Sequence, residues 1–511
     1  MTPPEYTDVL IVGGGIMGAA VAALVRAERP EAQITIVDAG PAIADGSGHH
    51  LHETKDPELW EQYNEKVSIG IQGLYAADQP ATERATALSD LEPGMHRIAA
   101  LGHDSAQLPG AAVGWNVGGM GVHWTAATPW PEEAERFGDP DRWDRDLEIA
   151  RDVLRVTASP IGPTTAGQHV LDALTAHLGH MAAPGRLPQA MPMAVRDVDG
   201  RLVRTGPAVI FPPIEVGGDE HFTLVSGQIV TELVHDGATV RGARTKDITT
   251  GEVTEIAAAV VVVAADALRS PQLLWASGIR PAALGTHLNE HAFVTNRVLL
   301  DLDRFGIALE ELPGYRDGET VSDSLWVPVN SPALPYQCQV MNRTYIDDDA
   351  NPLAYGVGVS VYVPTEVRAE NRIVFSDEDR DIAGMPVMRA EFSWSEADLA
   401  LIEQAGDFMA GIAERLGEWN RETDSQVLPA GSSLHYTGTV RAGDSDDGTS
   451  VCDHSGLVWG FDNLFVAGNG VVPTALVCNS TLTGTVTAVR AAEAVVVHPA
   501  LAAAAAEEVC A

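Results

Sequence analysis

Basic residues are scarce: 32 lysines and arginines stand against 71 aspartates and glutamates, a formal charge of −39 over 511 residues. A field of that sign repels phosphodiester backbones and anionic headgroups, so nucleic acid and an anionic membrane are excluded as partners. The excess itself reads as a solvated acidic surface. Cysteine is also sparse. Cys338, Cys452, Cys478 and Cys510 form neither a CxxC pair nor a metal-ligand spacing, and an intracellular chain keeps them reduced. No apolar run approaches a bilayer span, since residues 257–265 have strand length and the Ala-rich stretch 499–506 is short. There is no repeat period and no signal-peptide pattern before the first core strand, so a cytoplasmic enzyme is expected. The length suggests two large or three ordinary domains with ample core.

What is present begins with glycine. Residues 8–12 read as a buried strand that runs into Gly13, Gly14, Gly15 and Gly18, then into an Ala-rich helix over 19–27. A pyrophosphate needs that order: Gly13 for the tight turn, Gly15 for close backbone approach, Gly18 for helix packing, and a helix N-terminus that favours anions. A second strand over 34–37 ends in Asp38, twenty residues after Gly18, where a carboxylate can take a ribose hydroxyl. Strand-to-turn patterns recur at 257–279 and at 462–470, where Ala467, Gly468 and Asn469 follow an apolar strand.

Between these pieces the pattern changes. Segments 200–260 and 322–394 alternate apolar and polar residues and read as sheet, antiparallel in the second case. Residues 395–416 switch to helical spacing, with Leu399, Ile402, Ala405, Phe408, Met409 and Ile412 apolar. A helical stretch is expected over 60–72. β-rich material is thus inserted within a nucleotide-binding frame. His49, His50 and His52 lie in a Gly/Ser loop without a matching carboxylate pattern and are read as solvent or phosphate contacts, and His177 and His180 lack a third ligand, so no metal is expected.

Four blocks carry a family resemblance: Gly13 to Gly18; residues 117–129, with Met120, His123, Trp124 and Thr125; residues 269–274 with 284–291; and 434–439 with 461–465 and 479–483. Weaker similarity covers 48–74 and 371–394. On these residues the whole chain resembles the glucose-methanol-choline (GMC) flavoprotein oxidoreductases, within them the branch of pyranose oxidases and bacterial C-glycoside 3-oxidases. Three positions depart from the pattern. Asp266 stands where the wider family has glycine, Asp38 where flavoproteins often have glutamate, and 437–443 lacks a histidine that some pyranose oxidases carry.

The resemblance implies an α/β (α+β) fold: a Rossmann-like FAD-binding domain over 1–80, 225–300 and 430–498, and an inserted substrate domain over 81–224 and 301–429 on an antiparallel or mixed sheet with helices. Residues 499–511 are expected to be a flexible tail. It implies FAD contacts at Gly13, Gly15, Gly18 and Asp38, at Met120, His123, Trp124 and Thr125, and at Ala467, Gly468, Asn469 and Thr481. His123 matches a residue that bonds the flavin covalently in some relatives and not in others, and the sequence leaves both open. His435 corresponds to the catalytic histidine and Asn479 to the amide beside it. The chemistry agrees, because an imidazole accepts the hydroxyl proton as hydride leaves carbon, and an amide N–H steadies the developing alkoxide. Gln339 and Arg343 fall on a strand that contacts sugar in pyranose oxidases.

The expected activity is oxidation of a secondary pyranose hydroxyl, at C2 or C3, to a ketone by hydride transfer to flavin N5. Dioxygen, giving hydrogen peroxide, or a quinone-like acceptor would reoxidise the flavin. Alternatives are a C-glycoside 3-oxidase acting on intracellular aromatic sugar conjugates, a non-redox flavoprotein lyase, and a nicotinamide-linked dehydrogenase. The chain lacks the arm and head insertions of pyranose oxidases, so a monomer or homodimer is expected.

Overall fold

The computed structural model describes residues 3–43, 46–58, 60–61 and 86–501. The first strand, Tyr6–Val12, is flanked in parallel by Ile34–Asp38 and Val253–Val263, in registers Val9 with Ile34 and Val12 with Val263. Phe222–Ser226 extends the sheet beyond Ile34–Asp38, and Leu464–Val466 extends it beyond Val261. Chain order therefore runs outward in both directions from the first strand. In such sheets the crevice at the strands' carboxyl ends is the ligand site. Residues 257–263 read as one apolar run because a parallel sheet is covered on both faces. The strands Gln228–Asp236 and Thr239–Asp247 hang from the early half of Val253–Val263 as an antiparallel meander.

Helices Ile16–Glu28 and Ser480–Val496 cover one face, burying Val21 and Val25 with Leu482, Val486 and Val489 in one core. Each aliphatic side chain so buried contributes about 1.5–3 kcal/mol.

A second, wholly antiparallel sheet is built around Ala292–Leu300, Pro352–Val363, Gln337–Ile346 and Asp323–Val327. One of its faces packs on helices Thr165–Leu178 and Glu396–Leu416, joining Val340, Val357 and Val359 to Val170, Leu174, Met409 and Ile412. The second helix starts where Ser395 and Asp398 cap each other: Ser395 Oγ accepts the Asp398 N–H at 3.1 Å, and the Asp398 carboxylate accepts the Ser395 N–H at 2.8 Å. Side chains alternate along Gln337–Ile346, so Gln337, Gln339 and Met341 occupy the face opposite Cys338 and Val340.

Two boundaries differ from the sequence expectation. Ala292–Leu300 pairs within the second sheet, not the nucleotide-binding one, and Phe222–Ser226 pairs within the first. A strand's own residues do not name its neighbours, and only the hydrogen-bond partners tell which sheet holds it. The helical stretch expected over 60–72 lies, from residue 62 on, outside the described residues, as do Cys510 and the tail from 502.

Candidate active site

The glycine turn is steric in origin. Gly13 adopts φ +104°, and a Cβ there would lie 2.4 Å from the Ala264 carbonyl oxygen. At Gly18 a Cβ would lie 2.0 Å from the Gly13 oxygen, so the helix can close onto the turn only without a side chain. Asp38 ties two loops together, accepting the Gly14 N–H at 2.8 Å and the Gly40 N–H at 2.9 Å. Burial pushes its carboxyl up to about 6, against those bonds. Asp266 takes a left-handed conformation, φ +63°, and accepts the Leu268 and Arg269 N–H groups at 2.6 and 2.9 Å. From the first position of the helix Asp266–Ala276, whose N-cap Ala265 offers no side-chain bond, the Asp266 carboxylate thus takes two of the free N–H groups of the first turn.

A cavity of about 1660 Å³, counted out to its open mouth, lies at these strand ends. Its lining runs from the Gly13 turn and Asp38 to His435 and Asn479, an extent that suits an elongated dinucleotide with a second reactant. Of the residues expected to hold the cofactor, Gly13, Gly15, Asp38, Met120, Trp124 and Thr125 line it, as do Ala467, Gly468, Asn469 and Thr481. Gly18 packs beneath the turn. The Trp115 indole N–H, Gln228 Oε1, an Arg269 guanidinium nitrogen and Asn469 Oδ1 belong to lining residues and are buried without a partner among the described residues. Buried polar atoms of this kind call for a polar ligand. The residues present therefore fit FAD.

His435 and Asn479 line the same cavity, brought together from the loop after residue 430 and the N-terminus of Ser480–Val496. The protonation of His435 is fixed by its neighbours. His291 Nε2 lies 2.8 Å from the Leu476 carbonyl oxygen, which can only accept, so this nitrogen carries hydrogen. Burial lowers His291 to about 4, which keeps it neutral and leaves Nδ1 bare. That Nδ1 is 3.0 Å from His435 Nδ1, which must therefore donate. His435 is itself held neutral, its pKa pulled well down by burial and then by His291. Its Nε2 lone pair is left for a substrate, 3.5 Å from Asn479 Nδ2. At that length the direct contact is weak, and a hydroxyl can take both groups as partners.

The turn carrying His435 is anchored from behind. Glu290 accepts from the Gly431 N–H and from Ser433 Oγ, and Ser433 Oγ accepts the His435 N–H at 3.2 Å. Burial raises Glu290 to about 7. Leu434 sits at φ +60°, a strained conformation costing about 1–2 kcal/mol that this anchoring sustains.

Other expected residues sit elsewhere. His123 is buried, does not line the cavity, and lies with Nε2 2.9 Å from Asn116 Oδ1. Gln339 and Arg343 do not line the cavity either, although Gln339 shares a strand face with Gln337. The histidines of the 46–52 loop correct the solvent-or-phosphate reading. His50 Nε2 donates to the Trp124 carbonyl at 2.7 Å, and His52 lies 3.1 Å from both Glu53 and Glu319, in a buried cluster completed by Arg204. His49 meets Glu215 at 2.6 Å. Their loop is polar in sequence but roofed by residues 204–215, which no local pattern reports. Among the described residues, no group of three His, Cys, Asp or Glu side chains could hold a metal ion, and no helix is long and apolar enough to cross a membrane.

Sequence reasoning missed Gln337, His291 and Glu290. The signal for Gln337 was the period-two alternation it shares with Gln339; the two histidines, 144 residues apart in the chain, had no such signal.

Residues 219–293 and 367–488 match the N- and C-terminal models described as GMC oxidoreductase. The chain is 37% identical over 510 residues to a C-glycoside 3-oxidase of Microbacterium trichothecenolyticum, covering 96% of each. It is 27% identical to a pyranose 2-oxidase of Tricholoma matsutake, covering 96% of this chain and 94% of that one. Among solved structures, pyridoxine 4-oxidase from Mesorbium loti superposes with a TM-score of 0.64 at 17% identity, over 95% of this chain and 98% of that one.

Proposed function

The chain belongs to the GMC oxidoreductase family, and from that premise we propose that it is an FAD-dependent oxidase converting a secondary ring hydroxyl of a pyranose into a ketone. One observation carries the reading: His435 Nε2 and Asn479 Nδ2 converge on the cavity that the Gly13–Gly15 turn also lines. Bound there, FAD supplies the acceptor for the hydride of the carbinol C–H, with dioxygen as the terminal acceptor.

Oxidation of a CH–OH group removes a hydride from carbon and a proton from oxygen. His435 Nε2 takes the proton; a positioned base of this kind contributes about 10²–10⁴ in rate. The positive charge that then forms on the ring is shared with His291 through the Nδ1 contact. Asn479 Nδ2–H donates to the substrate oxygen as it becomes alkoxide-like, and a donor so placed is worth about 10²–10³. Neither group needs to change its protonation state before the sugar arrives, because burial already holds both imidazoles neutral.

The name of the bacterial relative supports C3 of a glycoside as the oxidised position. The flavin is held without a bond to His123. Asn116 Nδ2 donates to the Val117 and Gly119 carbonyls, which turns Oδ1 toward His123 Nε2 and makes that nitrogen a donor, and the ring does not line the cavity. Acid precipitation is expected to leave the yellow colour in the supernatant, and a yellow pellet refutes this point.

The activity is tested by mixing the holoprotein anaerobically with free sugars, O-glycosides and C-glycosides. Loss of the blue absorbance, with the new ketone located by NMR, is expected. If no sugar or glycoside bleaches the flavin, the reading fails.

A further inference from the structure

An amide can face either way, and an alkoxide is stabilised only if Asn479 presents nitrogen to it. We propose that Gln337, itself oriented by Trp326, is the positioning residue that sets the polarity of the Asn479 amide for alkoxide stabilisation. This rests on the preceding reading of the site.

The chain of hydrogen bonds has one sense. Trp326 is fully buried and its indole nitrogen only donates; it lies 2.8 Å from Gln337 Oε1. Gln337 must therefore turn its NH₂ the other way, where Nε2 lies 2.9 Å from Asn479 Oδ1. With Oδ1 so occupied, Asn479 Nδ2 faces His435 Nε2 and the cavity. Tyr362, paired with Gln337 across the sheet, also bonds Asn479, but a phenol donates or accepts and cannot choose the sense. Trp326 is fixed in turn by an edge-on contact with Trp130, ring centroids 4.7 Å apart, and by the Arg186 guanidinium over its face. Gln337 is fully buried, so no water competes for its amide. Reversed, Asn479 would aim Oδ1 at both His435 Nε2 and the substrate oxygen, three acceptors with one proton among them.

Gln337→Glu is the discriminating variant. The new carboxylate still accepts from Trp326 but offers Asn479 only oxygen, so the Asn479 amide turns over; once protonated, the carboxyl donates to Oδ1 and restores the original sense. The titratable neighbours His291, His435 and Tyr362 keep one state between about pH 6 and 9, since burial depresses both histidines and raises the phenol. The limiting rate of anaerobic flavin reduction is expected to fall about 100-fold at pH 9, with half-saturation by sugar moving far less, and to recover as pH falls. Gln337→Leu is expected to remain slow at every pH. Trp326→Phe, which removes the indole N–H together with part of the buried ring, gives a smaller loss that does not depend on pH and serves where the Gln337 variants lose flavin. Acetate binding to the holoprotein, read from the flavin spectrum, reports the same donor without turnover; it weakens in Gln337→Glu at high pH and returns at low pH. A wild-type enzyme that no sugar reduces sinks the preceding reading while leaving the acetate result to judge the relay. Rates and acetate affinities in Gln337→Glu that match wild type, or that are lowered equally at all pH, overturn the relay.

Discussion

Replacing His291 by phenylalanine keeps a flat ring against Tyr362 and His435 but removes the nitrogen that accepts the His435 Nδ1–H at 3.0 Å. In the resting protein this bond joins two neutral rings and is worth about 1 kcal/mol. Once His435 holds the substrate proton the bond is charge-assisted and worth about 1.5–3 kcal/mol. Only the difference, about 0.5–2 kcal/mol, acts on the barrier; at 1.36 kcal/mol per decade the limiting rate of flavin reduction falls about 2- to 30-fold. Stopped-flow reduction under anaerobic conditions reads that rate directly. Sugar half-saturation and bound flavin should hardly change, because His291 lies behind His435 and does not line the cavity. A limiting rate equal to the parent's refutes the assignment of the tautomer. So does a loss carried wholly by weaker sugar binding.

His435→Ala is expected to slow flavin reduction by about 10²–10⁴ while leaving the yellow holoprotein intact, and a rate within a few-fold of the parent removes His435 as the base. Gly13→Ala should give colourless protein, since its Cβ would meet the Ala264 oxygen at 2.4 Å at a φ of +104°; a normal flavin-to-protein absorbance ratio counts against the turn as cofactor cradle. The pH dependence of stability has two opposed parts. His291 is lowered to about 4 from 6.5, so its contribution is complete above the unfolded value and is lost as pH falls through about 4. Glu290 is raised to about 7 from 4.5, so its contribution is complete below the unfolded value and is lost as pH rises through about 7. Glu290→Gln should therefore flatten the fall of Tm on the alkaline side and leave the acid side as it was, and an unchanged alkaline slope contradicts the buried-carboxyl account.

Much of the architecture was legible because its determinants are local. The strand, turn and helix from Tyr6 to Glu28 are written in consecutive residues, and at Gly18 the steric demand is local as well, since a Cβ there would meet the Gly13 oxygen. The helix Glu396–Leu416 announced itself by apolar spacing and by the Ser395–Asp398 cap. Assignment of Ala292–Leu300 to its sheet was not legible, since alternation gives a strand's faces and not its neighbours. The 46–52 loop failed for a related reason: its polarity is real, but the partners that bury His50 and His52 come from residues 124, 204 and 319.

The sequence by itself determined a dinucleotide cradle, a β-rich insert and, through resemblance, the identity of His435 and Asn479. Tertiary structure alone decided which tautomer His435 adopts and which way both groups face. His291, Leu476, Gln337 and Trp326 impose the tautomer and the amide sense across as many as 185 residues of chain. A residue's chemistry is inherited from its own atoms, but the direction of a hydrogen bond is a property of the pair, and the pair exists only once the chain has folded.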